Sequence, residues 1–323
     1  QWVRFGEQKR VNSGERQGIG LDIHQAQITA CAIIEEASGE TRVEQRQFGG
    51  FKRHRRELAA WAATLRADKV VLESTGIYWK SPYAALEAAG IRATVVNARP
   101  VKPVPGHKTD IGDAQWLATL ARAGLLRGSF VPPAKLRELR LIARQRQKLV
   151  GLLSSEKNRL HKVLTDAGVR LGVVVSDLHG QSARAMIKGI LKGQAPHEVL
   201  ALASRRLKAG REELHDALQG DLTASHVFVL DELLRHIEEL EARIARFDAR
   251  LLDELASEHN ALALLQTLPG VDTVGAAMLL VEIGSDMSVF GRPDRLASWV
   301  GICPGNNESA GKRKSGRVRK GNP

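Results

Sequence analysis

The sequence predicts an α/β domain followed by an all-α remainder. Short apolar runs alternate with helical patterns between residues 19 and 126, whereas residues 134–167 and 230–255 each carry apolar residues at helical spacing. Alternating strands and helices are typical of a sheet covered by helices, and long runs at 3,4 spacing are typical of coiled-coil helices. Three parts are expected: an α/β domain (1–130), a coiled-coil helical middle region (131–260) and a small helical C-terminal domain (261–323).

Four apolar runs in the first part predict strands. IGLDIH and ITACAII follow each other closely, KVVLES begins at Lys69, and ATVVNA begins at Ala93. Glu57–Leu65 and Pro82–Gly90 have helical composition, and the second segment ends at a glycine stop signal. Because the first two strands predict an antiparallel hairpin, we expect a mixed sheet.

The two long helices of the middle region have opposite charge. Residues 135–170 carry ten Lys or Arg against three acids, whereas residues 230–258 carry four against nine. This contrast favours pairing of the two helices, or contact of the first with a nucleic-acid backbone, and a solvated face explains each single charge equally well. Residues 171–225 between them consist of short helical pieces with Gly and Pro breaks, to which we assign no chemistry.

The overall charge indicates a polyanionic partner. The 323 residues carry a net charge of +12, with a pI near 10.0, so nucleic acid is the leading candidate. Cys31 and Cys303 have no metal-ligand spacing, which argues against a disulfide scaffold or a zinc site. No apolar stretch approaches the roughly 20 residues that span a bilayer, and the first residues lack a signal-peptide core. We expect a cytoplasmic protein without a membrane partner.

Four acidic residues stand out by position. Asp22 lies in a strand of apolar residues, where a buried carboxylate needs a partner or a metal. Glu73 ends the run VVLE, and Asp110 and Asp113 lie on one face at the start of a predicted helix. Taken singly, Asp22 is a structural residue and the helical pair caps its helix. Together, these oxygen ligands suit Mg²⁺, or Mn²⁺, and predict phosphoryl transfer.

These residues, in their contexts, resemble a known family. GLDIH, LESTGIYW and GHKTDIGDA hold the four acids in the order of the RuvC-like, RNase H-fold domain of DEDD transposases of the insertion-sequence-110 family. VNARPVK resembles the segment before the family's KTDxxDA motif. LPGVDTVGAAMLLVEIG and ASWVGICPGNNESAGKRKSGRVRKGN resemble its second conserved domain. The resemblance therefore covers both ends of the chain.

The resemblance implies an RNA-guided DNA recombinase. In this family the carboxylates, here Asp22, Glu73, Asp110 and Asp113, bind Mg²⁺, and a C-terminal serine forms a covalent phosphoserine link with DNA. A structured non-coding guide RNA pairs with donor and target DNA, and the members act as multimers, here a homo-dimer or homo-tetramer at the bacterial nucleoid. The family pattern of serine, small residue, glycine and lysine selects Ser309 over Ser315.

Two further C-terminal features bear on DNA contact. The turn LPGVDTVGAA resembles a helix-hairpin-helix, but Asp272 replaces the usual glycine between Gly270 and Gly275, and simple helix packing explains the motif equally well. Basic residues around the selected serine are expected to neutralise phosphates beside the cut. They are Lys312, Arg313, Lys314, Arg317, Arg319 and Lys320.

Other residues and readings remain open from the sequence. We expect His24 and His107 to lie on the surface or to support the ligands from behind. Tyr78 and Trp79 either stack on a base or pack under the sheet. A metal nuclease that uses water, as a Holliday-junction resolvase does, is the nearest enzymatic rival. A non-catalytic architectural protein that binds nucleic acid is the rival from another class.

Overall fold

The computed structural model describes residues 17–36, 38–74, 76–97, 109–126, 128–204, 207–303, 307–309 and 312–316. The chain divides into two compact units, Gln1–Ala134 and Lys135–Pro323. Within the described part of the chain, none of the helices combines the length and the apolar composition that a membrane span needs.

The first unit is built on a five-stranded mixed sheet. Its strands are β1 (Gln17–Ile23), β2 (Gln27–Glu35), β3 (Thr41–Gly49), β4 (Lys69–Glu73) and β5 (Ala93–Val96). The order is β3-β2-β1-β4-β5, with β1, β2 and β3 antiparallel and β1, β4 and β5 parallel. Its helices are α1 (Lys52–Thr64), α2 (Lys80–Ala88) and α3 (Asp110–Arg122). The predicted α/β class and the opening hairpin are confirmed.

Strand β3 is absent from the expectations drawn from the sequence. It pairs with β2 from one end to the other, yet none of its residues is buried. An edge strand that faces solvent needs no apolar alternation, and its charged composition, TRVEQRQFG, is typical of edges that avoid pairing with other chains. The apolar runs therefore identify only strands β1, β2, β4 and β5.

The two faces of the sheet are covered by different helices. Ile19 and Leu21 of β1 point to the core shared with Leu58 and Trp61 of α1. Because side chains alternate along a strand, Gly18, Gly20 and Asp22 point to the other face, where α3 lies. A Cβ atom added at Gly20 would lie 2.1 Å from the carbonyl oxygen of Ala114 on that helix. The missing side chain lets α3 rest on the backbone of β1.

The second unit is helical apart from one short hairpin. Its helices are α4 (Ala134–Asp166), α5 (Leu171–Val174), α6 (Gln181–Leu191), α7 (Pro196–Ala201), α8 (Arg211–Leu218), α9 (Ala224–Glu254), α10 (His259–Gln266), α11 (Thr273–Ile283) and α12 (Pro293–Val300). Both predicted long helices are confirmed as α4 and α9. An antiparallel hairpin of β6 (Asn307–Ser309) and β7 (Lys312–Ser315), which the sequence analysis did not predict, follows them.

Helices α4 and α9 contact each other, which is one of the two arrangements expected from their charges. Leu149 of α4 packs with Leu240 and Ile244 of α9. Arg146 donates to Asp248, with 2.7 Å between Nε and Oδ1. Because residue numbers rise along α4 as those of its partners fall along α9 (Glu156 lies near His236), the helices run antiparallel. Their coiled-coil character stays a prediction.

A network of charged side chains joins α6 to this helix pair. Arg184 of α6 donates two hydrogen bonds to Glu241 of α9, at 2.5 and 2.7 Å, and Lys157 of α4 lies 3.1 Å from the same carboxylate. The hydrogen bonds from Arg184, followed by those from Lys157, lower the pKa of Glu241 to about 2. Glu241 therefore stabilises the second unit in its charged form.

We expect Gly20→Ala to destabilise the protein by about 3 kcal/mol, because its methyl group overlaps the backbone of α3. Gly18→Ala is the matched control on the same strand, where the added Cβ would lie 3.1 Å from the side-chain Cγ of Arg122 and 3.2 Å from the carbonyl oxygen of Ala118. Because these distances are about 1 Å longer than at Gly20, its loss should be about 1 kcal/mol. Urea unfolding followed by circular dichroism measures both. Equal midpoints for the two variants would contradict the close contact between α3 and β1.

We expect Glu241→Gln to cost about 1 to 2 kcal/mol at pH 7, a figure that allows for solvent screening of a carboxylate that is 34% exposed. Since the folded-state pKa is depressed, the stabilisation is complete above the ordinary pKa of 4.5 and is lost as the pH falls towards about 2. Unfolding of both proteins between pH 7 and pH 2.5 tests this. A difference that stays constant over that range would contradict it.

Candidate active site

Asp22 sits near the end of β1, where the strand leaves the sheet. Its side chain is 13% exposed and points to the face covered by α3, as do Gly18 and Gly20. The close packing of α3 on those glycines brings the first turn of the helix to the same end of β1. The position of Asp22 is therefore set by strand alternation and by the helix above it.

The first turn of α3 supplies the two acids predicted there. Thr109 caps the helix, and its hydroxyl oxygen accepts a hydrogen bond from the Gly112 amide at 3.0 Å. Asp110 is 53% exposed and Asp113, almost one turn later, is half-buried. Because Thr109 itself makes the capping hydrogen bond, helix capping does not explain the presence of both Asp110 and Asp113. Their charges also interact favourably with the helix dipole.

His24 joins the two carboxylates. Its Nε2 atom lies 3.2 Å from Oδ2 of Asp22 and 3.6 Å from Oδ1 of Asp110. Ligand atoms of the three residues all lie within 4.8 Å of one another, so together they could hold a metal ion. From the sequence, His24 is expected on the surface or behind the ligands, and its side chain is 57% exposed. In the sequence, the contact with Asp22 is indicated by the position of His24 two residues later, on the same side of the chain.

Asp22 lies close to other acidic side chains, and this proximity disfavours its charged form. Burial raises the pKa of Asp22, and the nearby charges of Asp110 and Asp113 raise it further, while His24 acts in the opposite direction. The interaction with Asp113 places this residue in the electrostatic surroundings of the cluster, although its oxygen atoms are outside the group of three. A cation between the acids would relieve this repulsion.

Glu73 lies on the strand beside Asp22. It is the last residue of β4, which pairs in parallel with β1 so that Leu72 lies opposite Leu21. The next position along each strand is Glu73 on β4 and Asp22 on β1, and both alternate to the α3 face. Glu73 is half-buried and falls outside the tight group formed by Asp22, His24 and Asp110. Parallel pairing thus brings Glu73 to the end of the sheet where Asp22 lies.

The donor set fits a divalent cation. Two carboxylates and one imidazole converge within the described residues, and two more carboxylates lie at the same end of the sheet. Carboxylate oxygens suit Mg²⁺ and Mn²⁺, and an imidazole nitrogen is a common metal ligand. The fourth predicted ligand, Asp113, approaches from the same helix as Asp110.

The C-terminal hairpin places the two serines differently. Ser309, the last residue of β6, pairs with Lys312, the first residue of β7, whereas Ser315, the last residue of β7, pairs with Asn307. The side chains of Ser309, Lys312, Arg313 and Lys314 lie outside the described part of the molecule. So do His107, Arg317, Arg319 and Lys320 in full.

The helix-hairpin-helix-like turn is capped from within. Asp272 precedes α11, and its Oδ1 accepts a hydrogen bond from the amide of Gly275 at 2.6 Å. That amide is one of those a phosphate would contact at a helix N-terminus. The carboxylate also repels a phosphate, which favours helix packing as the role of this turn.

The aromatic pair after Glu73 is split between surface and core. Trp79 packs against the apolar core of the first unit and forms an edge contact with Tyr83, with ring centroids 5.8 Å apart. Tyr78 is 42% exposed. Packing under the sheet therefore describes Trp79, and only Tyr78 is open to a ligand.

Two family models match the chain on either side of residues 169–261. DEDD_Tnp_IS110, described as a transposase, matches residues 19–168, and a model described as the transposase IS116/IS110/IS902 family matches residues 262–323. The chain belongs to the IS110 family of transposases. The first match includes Asp22, Glu73, Asp110 and Asp113, and the second includes Ser309.

A distant relative carries a related description. The probable family 20 transposase of Pseudomonas aeruginosa (strain PAO1) is 22% identical to this IS110-family chain over 258 residues, which cover 78% of the chain. The chain spans 65% of the length of that relative.

Two solved structures of RuvC from Thermus thermophilus resemble part of the IS110-family chain. One is described as a complex with Holliday junction substrate, and the other as the RuvC structure. They are 11% and 12% identical, cover 35% of this chain and 99% of their own, and each has a TM-score of 0.28.

We expect Asp22→Asn to raise the unfolding temperature in EDTA at pH 7. The raised pKa means that charged Asp22 costs stability above the ordinary pKa of 3.8, so the advantage of the variant should vanish at lower pH. Added Mn²⁺ at 100 times its Kd should stabilise the wild-type protein by about 2.7 kcal/mol. The variant should gain much less.

Differential scanning fluorimetry with EDTA or Mn²⁺ measures both effects. Glu57→Gln, which removes an exposed carboxylate of α1, is the control and should respond to Mn²⁺ as the wild-type protein does. Equal stabilisation of Asp22→Asn and wild-type protein by Mn²⁺ would show that the cation binds elsewhere.

Proposed function

We propose that this IS110-family protein is a transposase that cuts and rejoins DNA strands by phosphoryl transfer at the end of its sheet. The observation that carries the proposal is the convergence of Asp22, His24 and Asp110, with crowded acidic charge and ligand atoms within 4.8 Å of one another. Membership of a transposase family and the net charge of +12 support a DNA substrate.

In this proposal, Asp22, Glu73, Asp110 and Asp113 hold Mg²⁺, for which Mn²⁺ can substitute. A bound divalent cation lowers the pKa of an attacking hydroxyl group and neutralises charge on the phosphate. The chain itself keeps the carboxylates together through the contact of α3 with β1 and the parallel pairing of β1 with β4. His24 orients Asp22 through the 3.2 Å hydrogen-bond contact of its Nε2 atom, and the same atom lies 3.6 Å from Oδ1 of Asp110.

Ser309 is the proposed nucleophile. Its hydroxyl oxygen attacks a DNA phosphorus atom, the bond from phosphorus to one deoxyribose oxygen breaks, and the proton of the hydroxyl group passes to the leaving oxygen. One phosphodiester replaces another, so a second strand can displace the serine without ATP. This energy balance suits recombination better than hydrolysis. The family pattern of serine, small residue, glycine and lysine selects Ser309 over Ser315.

The partners of the reaction follow from the family resemblance. A structured guide RNA would pair with donor and target DNA, and the protein would act as a homo-dimer or homo-tetramer. Basic residues of the C-terminal segment would neutralise phosphates near the cut. These are Lys312, Arg313, Lys314, Arg317, Arg319 and Lys320.

The decisive experiment traps the covalent intermediate. Purified protein is incubated with Mg²⁺, the RNA of its element and suicide DNA substrates, and the products are separated on a denaturing gel. We expect a protein–DNA adduct with wild-type protein and Ser315→Ala, and none with Ser309→Ala. Asp22→Asn, Glu73→Gln and Asp113→Asn should each lower adduct formation by at least about a hundredfold, because the charge that balances the transition state is lost.

The other outcomes separate the rival functions. Cleavage to free ends by Ser309→Ala would favour a metal nuclease that uses water. DNA binding without cleavage under any guide would favour an architectural protein. Full activity in all three carboxylate variants would remove the metal site from the mechanism.

A further inference from the structure

A second surface near the carboxylates has the chemistry of a nucleic-acid strand site. Helix α1 begins with the run KRHRR, residues 52–56, directly after Phe51. The ring of Phe51 is 73% exposed, and Lys52, Arg53 and Arg56 are exposed as well. The first turn of the helix holds no acidic residue, and no side chain caps it. We name Phe51 and these five residues the α1 patch.

The basic side chains of the α1 patch have no ion-pair partner among the residues that the structure describes. Among the described residues, no carboxylate forms an ion pair with Lys52, Arg53, Arg55 or Arg56. The arginines of the adjacent strand β3 differ, since Arg42 pairs with Glu36 and Glu44, and Arg46 pairs with Glu44. Within the described part of the chain, a cluster of cations without ion pairs therefore distinguishes the α1 patch from strand β3.

The fold places the α1 patch beside the β1–β2 turn that carries His24. The amide of Gly50 donates to the carbonyl oxygen of Ala26 at 2.8 Å. A Cβ atom on Gly50 would lie 2.4 Å from the carbonyl oxygen of Gln25, so only glycine permits this approach. Gln25 and Ala26 directly follow His24 in the chain. The start of α1 and the Asp22–His24–Asp110 cluster are thus joined by one turn.

Exposed aromatic and basic side chains side by side match the chemistry of an unpaired nucleotide strand. Arginine and lysine side chains contact its phosphates, and an aromatic ring stacks on a base of any sequence. The ring of Phe51 lies 5.9 Å from that of His54, which leaves its other face open. Arg55 donates to the carbonyl oxygen of Gly50, which holds the bend before the helix.

We propose that the α1 patch binds the single-stranded nucleic acid that leads to the carboxylate site, with Phe51 stacked on a base and Lys52, Arg53 and Arg56 on phosphates. The inference rests on the proposed function in one respect, because that function requires a nucleic-acid strand near the Asp22–His24–Asp110 cluster. Binding of the strand to the α1 patch itself requires neither metal nor cleavage. The strand is either substrate DNA or guide RNA, which share the phosphate backbone and the unpaired bases.

The test measures binding of the full chain to fluorescent single-stranded DNA and RNA of one sequence by anisotropy, in EDTA and over a range of salt. Arg53→Ala/Arg56→Ala should weaken binding at least tenfold and make the slope of log K against log salt shallower by about 1.4, since each phosphate contact contributes about 0.7. Phe51→Ala should weaken binding about tenfold, and Phe51→Tyr should restore it.

The matched control is Arg66→Ala/Arg92→Ala. It removes two exposed arginines after the end of α1 and before β5, away from the α1 patch, and should bind as the wild-type protein does. A larger loss on DNA than on RNA assigns the α1 patch to the substrate, and the reverse assigns it to the guide. Equal losses in the patch variant and the control would overturn the inference, as would wild-type affinity in Phe51→Ala.

The covalent-adduct assay separates this inference from the proposed function. If wild-type protein forms no adduct but the patch variants lose strand binding, the proposed function is contradicted and the inference about the α1 patch is supported. If the adduct forms and the patch variants bind single-stranded DNA and RNA as the wild-type protein does, the inference about the α1 patch is contradicted and the proposed function is supported. Circular dichroism confirms that each variant is folded.

Discussion

The direct contact between helix α3 and strand β1 is the constraint on which the candidate active site depends. At Gly20 the strand offers no side chain, and the backbone of α3 occupies the space a methyl group would need. Small residues on the facing side of the helix, Ala114 and Ala118, complete the fit. The first turn of α3 is thereby fixed at the end of β1. Asp110 reaches Asp22 because of packing between uncharged atoms, which offsets the repulsion between the two acids.

The sequence predicted the parts of the first unit that are buried and missed those that are not. Strands β1, β2, β4 and β5 carry apolar runs because they are covered, whereas β3 faces solvent and has none. The order of the four acids also predicted one site, since parallel strands end at one edge and α3 begins there. The position of His24 two residues after Asp22 indicates that the two side chains lie on the same side of the chain, but it does not reveal the approach to Asp110. Only the distances to Asp22 and Asp110 show its place.

The partner of α4 and the role of Asp272 could be decided only from contacts in the structure, because no sequence pattern distinguishes the alternatives. Charge counts left α4 free to pair with α9 or with nucleic acid, and the ion pair of Arg146 with Asp248 shows the first arrangement. At the helix-hairpin-helix-like turn, Asp272 already stood out as a departure from the usual glycine. Its hydrogen bond to Gly275 explains the departure, since the carboxylate serves the helix itself. The roles of Ser309 and of the basic residues around it rest on the family resemblance.

The pairing of α4 with its neighbours also shapes the field that a nucleic acid meets on approach. Five of the ten basic residues between 135 and 170 have carboxylate partners within the second unit: Arg140, Arg144, Arg146, Lys157 and Arg159. These five cations share four carboxylates, since Arg140 and Arg144 both contact Glu282, so beyond a Debye length of about 8 Å in physiological salt their attraction is weakened but not cancelled. Among the described residues, a cation without a carboxylate partner therefore contributes more to the long-range attraction than a paired one does. A polyanion would be drawn to such cations first, and helix α4 would contribute less to the attraction than its number of basic residues suggests.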